Sequence, residues 1–355
     1  MYHSGKGTRQ RCGETQRFPQ FQMANLNAKI SALGAYVPSG LLTNSDLEKI
    51  VQTSDEWIQT RTGIRERHVA APDQATSDLA TEAAKAVLAH RGIDASEIDA
   101  IIVCTVTPDF LFPGTACLVQ HNIGASKAWG FDLIAACCGF LYGLNTGANL
   151  VKSGTHKKVL VIGADTMTRI LDYTDRTTCV LFGDGAGAML IEPCAEGEEH
   201  LGFVDFLGEI DGSGGEFLRM PAGGSRLPAS AETVARRQHF VHQEGQQVFK
   251  FAVRRMQELS ETLLQRNGLT GKDIKLLIPH QANRRIIEAT MERLKLASDN
   301  VIINIDKYGN TTGGTIGLAT RDAYETGRLK KGDLVLFSAV GAGYTVGATL
   351  WRWAI

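Results

Sequence analysis

Runs of consecutive apolar residues alternate with segments of helical periodicity along most of this 355-residue chain. The apolar runs predict strands at 100–106, 158–163, 179–182, 187–191, 274–278 and 301–305, with a final pair at 334–338 and 345–351. Helical spacing predicts helices at 76–92, 138–153, 243–267, 282–295 and 314–327. A strand that is apolar on both faces must be covered on both faces, so the alternation predicts an α/β fold with helices on both sides of its sheets.

The two halves of the chain are alike, because each ends in an apolar strand, a glycine-rich turn and another strand. This similarity indicates a duplicated βαβ unit. We therefore divide the chain into an N-terminal half at 28–195, a connector with loops at 196–235 and a C-terminal half at 236–355. Residues 1–27 are mostly polar and lack the apolar middle section of a secretory signal, so they are predicted to form a disordered extension.

Charge and cysteine usage exclude several classes of protein. The 37 basic and 38 acidic residues give a net charge of −1, which argues against binding nucleic acid through bulk electrostatics. The apolar runs are too short for a membrane-spanning helix. The seven cysteines show no zinc-type spacing, so neither a metal nor a structural zinc site is expected. An odd number of cysteines in apolar surroundings favours free thiols in a reducing cytoplasm.

Cys137 is the candidate nucleophile. It follows the β-like run 131–134 and two small residues, Ala135 and Ala136, and it precedes a predicted helix. A thiol at a helix N-terminus faces free N–H groups and the positive end of the helix dipole, which is expected to lower its pKa. On this segment alone, Cys137 and Cys138 could equally be a buried structural pair.

Three further segments carry polar groups next to strands and turns. His280 follows an apolar strand at the edge where α/β active sites gather. Asn310 also lies between a predicted strand and a helix, and the turn Gly341-Ala342-Gly343 offers backbone N–H groups suited to an oxyanion. Alone, these are equally a structural histidine, a turn residue and a hairpin turn. Together with Cys137, they form a set suited to acyl transfer.

From residue 28 to residue 355 the sequence resembles the β-ketoacyl-acyl-carrier-protein synthase III family, the initiating condensing enzymes of bacterial fatty-acid synthesis. The resemblance rests on motifs at Thr53–Ile58, Arg61–Arg67, Ala135–Cys137, Phe182–Ala188, Pro279–Asn283 and Gly309–Thr311. It implies the thiolase-like fold, in which two duplicated halves form five layers in the order α-β-α-β-α. It also implies a cytoplasmic homodimeric acyltransferase.

The resemblance implies a ping-pong condensation that needs no cofactor. Cys137 takes the acyl group from an acyl-CoA, most simply acetyl-CoA, and CoA leaves. Malonyl-acyl carrier protein then loses CO₂, and its enolate attacks the acyl-cysteine to give a 3-oxoacyl-acyl carrier protein. His280 and Asn310 are implied to stabilise the enolate. The backbone N–H groups of Cys137 and Ala342 are implied to form the oxyanion hole, although the family commonly has three glycines at this turn.

Other residues are matched to the family's binding sites. The implied CoA-binding residues are Trp57, Arg61, Thr62, Arg176, Phe249, Ala282 and Asn283. Phe112 matches the residue that closes the acyl pocket of the second subunit, and its bulk indicates a short primer. Basic residues on two predicted helices indicate a docking surface for the acidic carrier protein: Lys250, Arg254, Arg284, Arg285 and Arg293. Glu288 and Glu292 interrupt this surface, and a merely solvated face is the alternative.

Several other functions remain to be weighed. A related condensing enzyme or acyltransferase that primes a secondary-metabolite pathway shares the same motifs. A thiolase would need a second cysteine near its C-terminus, but the last cysteine is Cys194. A papain-like protease carries its cysteine near the mature N-terminus, unlike Cys137. The glycine run 183–187 precedes a β-like segment and not a helix, which argues against a nucleotide-binding loop.

Overall fold

The computed structural model describes residues 26–355. Its strands are β1 Ala28–Tyr36, β2 Gly40–Thr43, β3 Glu66–Val69, β4 Ala100–Cys104, β5 Trp129–Leu133, β6 Val159–Thr166, β7 Asp184–Pro193, β8 Gly202–Ile210, β9 Leu218–Arg219, β10 His242–Gln243, β11 Leu276–Pro279, β12 Leu334–Gly341 and β13 Thr345–Arg352. Its helices are α1 Asn44–Leu47, α2 Asp55–Thr62, α3 Thr76–Arg91, α4 Thr115–Ile123, α5 Gly139–Lys152, α6 Ala231–Ala235, α7 Gly245–Arg266, α8 Arg284–Arg293, α9 Ile305–Tyr308 and α10 Thr315–Glu325.

Two mixed sheets form the framework of the fold. The first has the order β1-β7-β6-β4-β5, in which β4 runs parallel to β5 and β6, while β7 is antiparallel to both of its neighbours. The second has the order β11-β12-β13-β8, with β11 parallel to β12 and the other pairs antiparallel. Every residue of β4, β6 and β12 is buried, as expected for strands that are covered on both faces.

Helices form three layers around and between these sheets. The central layer consists of α5 and α10, whose apolar side chains share one core with both sheets: Leu144, Ile316, Val161 and Phe337 are examples. Helices α3 and α4 cover the outer face of the first sheet, and α7 and α8 cover the outer face of the second. The predicted order α-β-α-β-α is therefore confirmed.

The central helix α10 lies directly on strand β7 because both carry a glycine at the contact. A Cβ on Gly317 would lie 2.6 Å from the Cα of Gly187, closer than carbon atoms approach. This contact buries α10 between the two sheets. The turn that precedes α10 is thereby held against the end of the first sheet.

Two of the predicted strands are wrong. Residues 179–182 form turns with one bridge from Phe182 to Asn310, and within 301–305 only Val301 makes a bridge before α9 begins at Ile305. The side chains of Cys179, Val180 and Ile305 are buried against apolar residues of α1 and α2. These runs are apolar because they pack under helices, and packing of that kind requires no strand ladder.

The boundaries of the predicted connector and extension also differ from the structure. Strand β8 lies within 196–235 and forms the edge of the second sheet, antiparallel to β13. Its side chains are mostly half-buried or exposed, so its apolar signal in the sequence is weak. Asn27 is part of the fold, since its Nδ2 donates to the carbonyl oxygens of Glu199 at 3.1 Å and Leu201 at 2.7 Å. The rest of the predicted extension, residues 1–25, lies outside the described residues.

Candidate active site

Cys137 lies in a tight turn at the N-terminus of the central helix α5. Ala135 has a φ of −145° and a ψ of 30°, Ala136 has a φ of 47°, and Ala136–Cys138 form one 3₁₀ turn that runs directly into α5. A positive φ is uncommon for alanine and changes the direction of the chain sharply. Cys137 lines two cavities at the point where they adjoin, although it is only 7% exposed.

The two adjacent cysteines face different surroundings. The thiol of Cys138 lies within hydrogen-bond distance of two carbonyl oxygens, Ala339 at 3.2 Å and Thr345 at 3.3 Å, in the core shared by both sheets. Burial raises the pKa of Cys138 to about 12. Cys137 lines both cavities, whereas Cys138 lines neither of them. The geometry therefore makes Cys137 the accessible thiol of the pair.

The expected lowering of the Cys137 pKa is not what the structure gives. Burial raises the pKa of this thiol well above its ordinary value, and the neighbouring Cys138 and Asp165 raise it further. The loss of solvation at a buried position outweighs the favourable end of the helix dipole. Cys137 is therefore a neutral thiol near neutral pH, so any reaction at its sulfur requires loss of the thiol proton.

His280 directly follows strand β11, at the end of the second sheet. Its backbone N–H donates to the carbonyl oxygen of Ser338 at 2.8 Å, which extends the pairing of β11 with β12. Its imidazole Nδ1 lies 2.7 Å from Thr315 Oγ1, and Nε2 has no hydrogen-bond partner among residues 26–355. Burial lowers the pKa of His280 to about 3, so the imidazole is uncharged near neutral pH.

Asn310 is held through its backbone and its side-chain carbonyl. Its N–H donates to the carbonyl oxygen of Leu181 at 2.9 Å, and its own carbonyl accepts from Gly183 N–H at 3.1 Å. Its side-chain Oδ1 accepts from the N–H of Thr312 at 2.9 Å. Because the oxygen is engaged in this way, the amide nitrogen is the group left for the cavity that Asn310 lines.

Two cavities meet at Cys137. The larger has a volume of about 690 Å³ and brings Cys137, His280 and Asn310 together on one surface. The smaller, of about 240 Å³, has a mostly apolar lining that includes Val106, Met167, Ile170, Phe182 and Met220. A wide entrance and a narrow apolar recess on either side of one thiol suit an acyl group carried in on a long arm.

The turn between β12 and β13 lies beside this thiol. A Cβ on Gly341 would lie 2.7 Å from the backbone nitrogen of Cys137, so the close approach requires glycine. Ala342 lines the smaller cavity and does not have a positive φ, whereas Gly343 has a φ of 135°. An alanine is therefore accommodated without strain at the middle position of this turn.

Most of the residues matched to CoA binding surround the larger cavity. Its lining includes Trp57, Arg61, Thr62, Phe249, Ala282 and Asn283. Arg176 is outside the lining, but its guanidinium lies 5.2 Å from the centre of the Trp57 ring. A flat base inserted between these two groups needs about 7 Å, or two van der Waals contacts, so Arg176 must move before it can cover an adenine.

Phe112 lies outside both cavities of its own chain. It is 86% exposed and continues an apolar segment with Leu111, 85% exposed, and Phe110, 57% exposed. Ile134, after the edge strand β5, is a further exposed apolar residue at 75%. Contiguous apolar surface of this kind is typical of a contact with another protein surface.

The predicted basic surface lies on α7 and α8, which pack together over the second sheet. Two of its members are paired, Arg284 with Glu288 at 2.7 Å and Arg293 with Glu261 at 2.8 Å. Lys250, Arg254 and Arg285 are exposed and have no carboxylate partner within the described part of the chain. Lys250 and Arg285 also line the larger cavity, so two of the three unpaired charges belong to its wall.

The sequence did not single out Asp165, which is fully buried beside the smaller cavity. Its Oδ1 accepts from Thr105 Oγ1 at 2.9 Å, Val106 N–H at 2.8 Å and both donors of Thr107, and its Oδ2 accepts from Gly313 N–H at 2.8 Å. Burial raises its pKa to about 6. In the sequence, Asp165 could have been noticed as a carboxylate near the end of the otherwise apolar strand β6.

Residues 26–355 hold neither a metal-ligand cluster nor a membrane-spanning helix. No cluster of three or more metal-ligating side chains is present in this range. Nor is any of its helices long and apolar enough to cross a bilayer.

Family models, curated relatives and solved structures all match this chain to one family. Models of 3-oxoacyl-[acyl-carrier-protein] synthase III match residues 131–210, and models of its C-terminal part match residues 264–353. β-Ketoacyl-[acyl-carrier-protein] synthase III of Solibacter usitatus is 71% identical over 92% of this chain and 99% of its own length, and that of Koribacter versatilis is 58% identical over 92% and 98%. The structure of the synthase III of Thermus thermophilus superposes with a TM-score of 0.85 at 45% identity, over 92% of this chain and 99% of that one. The chain belongs to the β-ketoacyl-[acyl-carrier-protein] synthase III family.

Proposed function

We propose that this protein condenses an acyl-CoA primer, most simply acetyl-CoA, with malonyl-acyl carrier protein and thereby initiates fatty-acid synthesis. The products are a 3-oxoacyl-acyl carrier protein, CO₂ and CoA. The observation that carries the proposal is the convergence of Cys137, His280 and Asn310 on one cavity, at the point where a narrow apolar recess begins. CoA enters as a substrate, and no cofactor is required by this chemistry.

In the first half-reaction Cys137 attacks the thioester carbonyl of the acyl-CoA. A new carbon–sulfur bond forms, the bond to the CoA sulfur breaks, and the thiol proton leaves with CoA. The carbonyl oxygen carries negative charge in the transition state, and the N–H groups of Cys137 and Ala342 are the proposed donors to it. The close approach of Gly341 to the backbone nitrogen of Cys137 supports this pairing of the two turns.

In the second half-reaction the malonyl thioester loses CO₂, and the electrons of the broken bond move onto the thioester carbonyl as an enolate. The proposed donors to the enolate oxygen are His280 Nε2 and the amide nitrogen of Asn310. The enolate carbon then attacks the acyl-cysteine carbonyl, and Cys137 leaves as a thiolate that takes up a proton from solvent to restore the neutral thiol. An uncharged imidazole suits this role, because what the reaction needs is a fixed donor in a dry site.

We propose that CoA enters through the larger cavity, with its adenine near Trp57 and Arg176 and its pantetheine arm along Phe249, Ala282 and Asn283. The primer occupies the smaller cavity. We also propose a homodimer in which Phe112 of a second copy closes that cavity, since Phe112 is highly exposed in its own chain. A monomer in a light-scattering measurement of molar mass would contradict the dimer.

The carrier protein is proposed to dock on the unpaired basic residues Lys250, Arg254 and Arg285. An acidic partner would be steered to them and would bind more weakly at high salt. The variant Arg254→Glu is expected to raise the KM for malonyl-acyl carrier protein several-fold and to leave acyl transfer from acetyl-CoA unchanged. Arg293→Glu, at a position already paired with Glu261, is the matched control and is expected to have the smaller effect. Equal losses in both half-reactions would contradict the docking surface.

The reaction itself is tested by supplying acetyl-CoA and malonyl-acyl carrier protein together and measuring the carrier protein's mass. We expect the mass of the 3-oxobutyryl form, and no product when either substrate is left out. A panel of acyl-CoA primers tests the alternative that the protein primes a secondary-metabolite pathway. Preference for a large or branched primer over acetyl-CoA would favour that alternative. We place the enzyme in the cytoplasm, a proposal that the six free cysteines of the described residues support.

A further inference from the structure

Thr315 is a buried polar residue whose hydroxyl contacts the imidazole of His280. It is the first residue of the central helix α10, and its Oγ1 lies 2.7 Å from His280 Nδ1 and 3.2 Å from the carbonyl oxygen of Thr312. The hydroxyl has one proton, so it donates to only one of these two acceptors. The choice decides which nitrogen of His280 carries the ring proton.

The distances favour donation from Thr315 to His280. A hydroxyl usually donates over about 2.5 to 3.0 Å, whereas an N–H most often donates to an oxygen over about 2.9 to 3.0 Å, so the 2.7 Å contact fits donation by Thr315 better than donation by Nδ1. The 3.2 Å contact with the Thr312 carbonyl lies beyond the usual hydroxyl range. If the hydroxyl donates to Nδ1, then Nδ1 is the acceptor and the single proton of the uncharged ring is on Nε2.

We infer that Thr315 is a positioning residue that fixes the Nε2–H tautomer of His280. The inference rests on the proposed function, in which Nε2 donates to the enolate. Nε2 is also the atom of His280 that has no partner within the described residues, and His280 lines the larger cavity. In this tautomer Nε2 has no lone pair available, so His280 cannot take the proton of Cys137. The two half-reactions then depend on His280 to different degrees.

The tautomer can be measured directly in the full-length protein. Nitrogen NMR of enzyme labelled with ¹⁵N-histidine distinguishes a protonated ring nitrogen from an unprotonated one, and the variant His280→Asn assigns the signals of His280 among the nine histidines. We expect the proton on Nε2 and no change in its position between about pH 5 and about pH 8. A proton on Nδ1 in the wild-type enzyme would overturn the inference, whatever the activity is.

Two variants at Thr315 provide the kinetic test. Thr315→Val removes the hydroxyl and keeps the shape, whereas Thr315→Ser keeps the hydroxyl. We expect Thr315→Val to slow condensation about 10- to 100-fold, less than the loss of about 100- to 1000-fold when a donor itself is removed. Acylation of Cys137 is expected to stay within about 3-fold, and Thr315→Ser is expected to restore condensation.

Equal slowing of both half-reactions by Thr315→Val would overturn the inference, and so would failure of Thr315→Ser to restore condensation. If Thr315→Val does not fold, the wild-type NMR spectrum decides alone. Failure of the proposed function has a different signature: the wild-type enzyme would then form no acyl-cysteine or no condensation product, while the NMR result would stand by itself.

Discussion

Two turns of the same design lead into the two central helices, one in each half of the chain. The turn Ala136–Cys138 precedes α5, and the turn Thr312–Gly314 precedes α10. Each is a single 3₁₀ turn whose first residue has a positive φ, 47° at Ala136 and 48° at Thr312. Because non-glycine residues rarely adopt this conformation, its occurrence in both turns indicates one backbone arrangement used twice.

The second position of the turn is where the two halves differ. Gly313 donates its N–H to Asp165 at 2.8 Å, and a Cβ there would lie 2.8 Å from the carbonyl oxygen of Cys104. Cys137 instead presents its thiol where two cavities meet. The same turn is therefore a filled structural contact in one half and the proposed reaction site in the other. The difference is that protein atoms fill the space beside Gly313, whereas two cavities adjoin Cys137.

The largest effect on the condensation rate is expected from alanine at Cys137, the second residue of the first turn. Cys137→Ala removes the proposed nucleophile, so we expect condensation to fall below about one ten-thousandth of the wild-type rate. The free energy of unfolding is expected to change by less than about 1 kcal/mol, because the side chain borders a cavity. Turnover assays and urea unfolding measure the two effects. Condensation that survives at a tenth of the wild-type rate would refute the assignment.

His280 is proposed to act at the first turn in only one of the two half-reactions. His280→Ala removes a proposed donor to the enolate, so we expect condensation to slow by about 100- to 1000-fold. Acylation of Cys137 by acetyl-CoA is expected to remain within about 10-fold of the wild type. Rapid-quench measurement of each half-reaction separates these rates. Loss of acylation as severe as the loss of condensation would instead make His280 the base that activates the thiol.

In the turn Thr312–Gly314, where protein atoms surround Gly313, an alanine substitution is expected to lower stability. Gly313→Ala places a Cβ against the Cys104 carbonyl oxygen and near Asp165, which should lower the free energy of unfolding by about 1 to 3 kcal/mol. Gly224→Ala is the matched control, because a Cβ there meets nothing within 4 Å. Urea unfolding of both variants measures the difference. Equal stability of the two variants would mean that the second turn is not tightly filled.

The smallest effect is expected at the turn between β12 and β13, which lies directly beside Cys137. Ala342→Gly keeps the backbone N–H, and it restores the three glycines common in the family. We expect acylation to stay within about 3-fold, with a loss of stability of about 0.5 to 1 kcal/mol from the greater freedom of the unfolded chain. A change in acylation rate of more than 10-fold would show that the Ala342 methyl group itself shapes the site.

Sequence patterns predicted the strands and helices that are periodic and covered on both faces, including α5, α7 and the pair β12–β13. They failed where an apolar run packs without a ladder, as at 179–182, or where an edge strand is half-exposed, as in β8. Residues on the candidate site were chosen by their place at strand ends. The hydrogen bonds of Asp165 and Thr315 join distant segments of the chain, so no local sequence pattern could reveal these hydrogen bonds.

The sequence alone also could not predict the direction in which the pKa of Cys137 shifts. The helix N-terminus is visible in the sequence, whereas the loss of solvation depends on how completely the surrounding layers close over the thiol. Burial raises this pKa well above its ordinary value. A position on a helix therefore identifies a candidate nucleophile, and only the packing around it determines its protonation state.

The proposal that Cys137 is the nucleophile is tested most simply by locating the acyl group on the protein. Wild-type enzyme is incubated with acetyl-CoA alone, digested, and sequenced by tandem mass spectrometry across residues 135–140. We expect one acetyl group on the sulfur of Cys137 and none on Cys138, whose thiol is hydrogen bonded within the core. Acetyl on Cys138, or no acetylated cysteine at all, would contradict the assignment of the first turn as the reaction site.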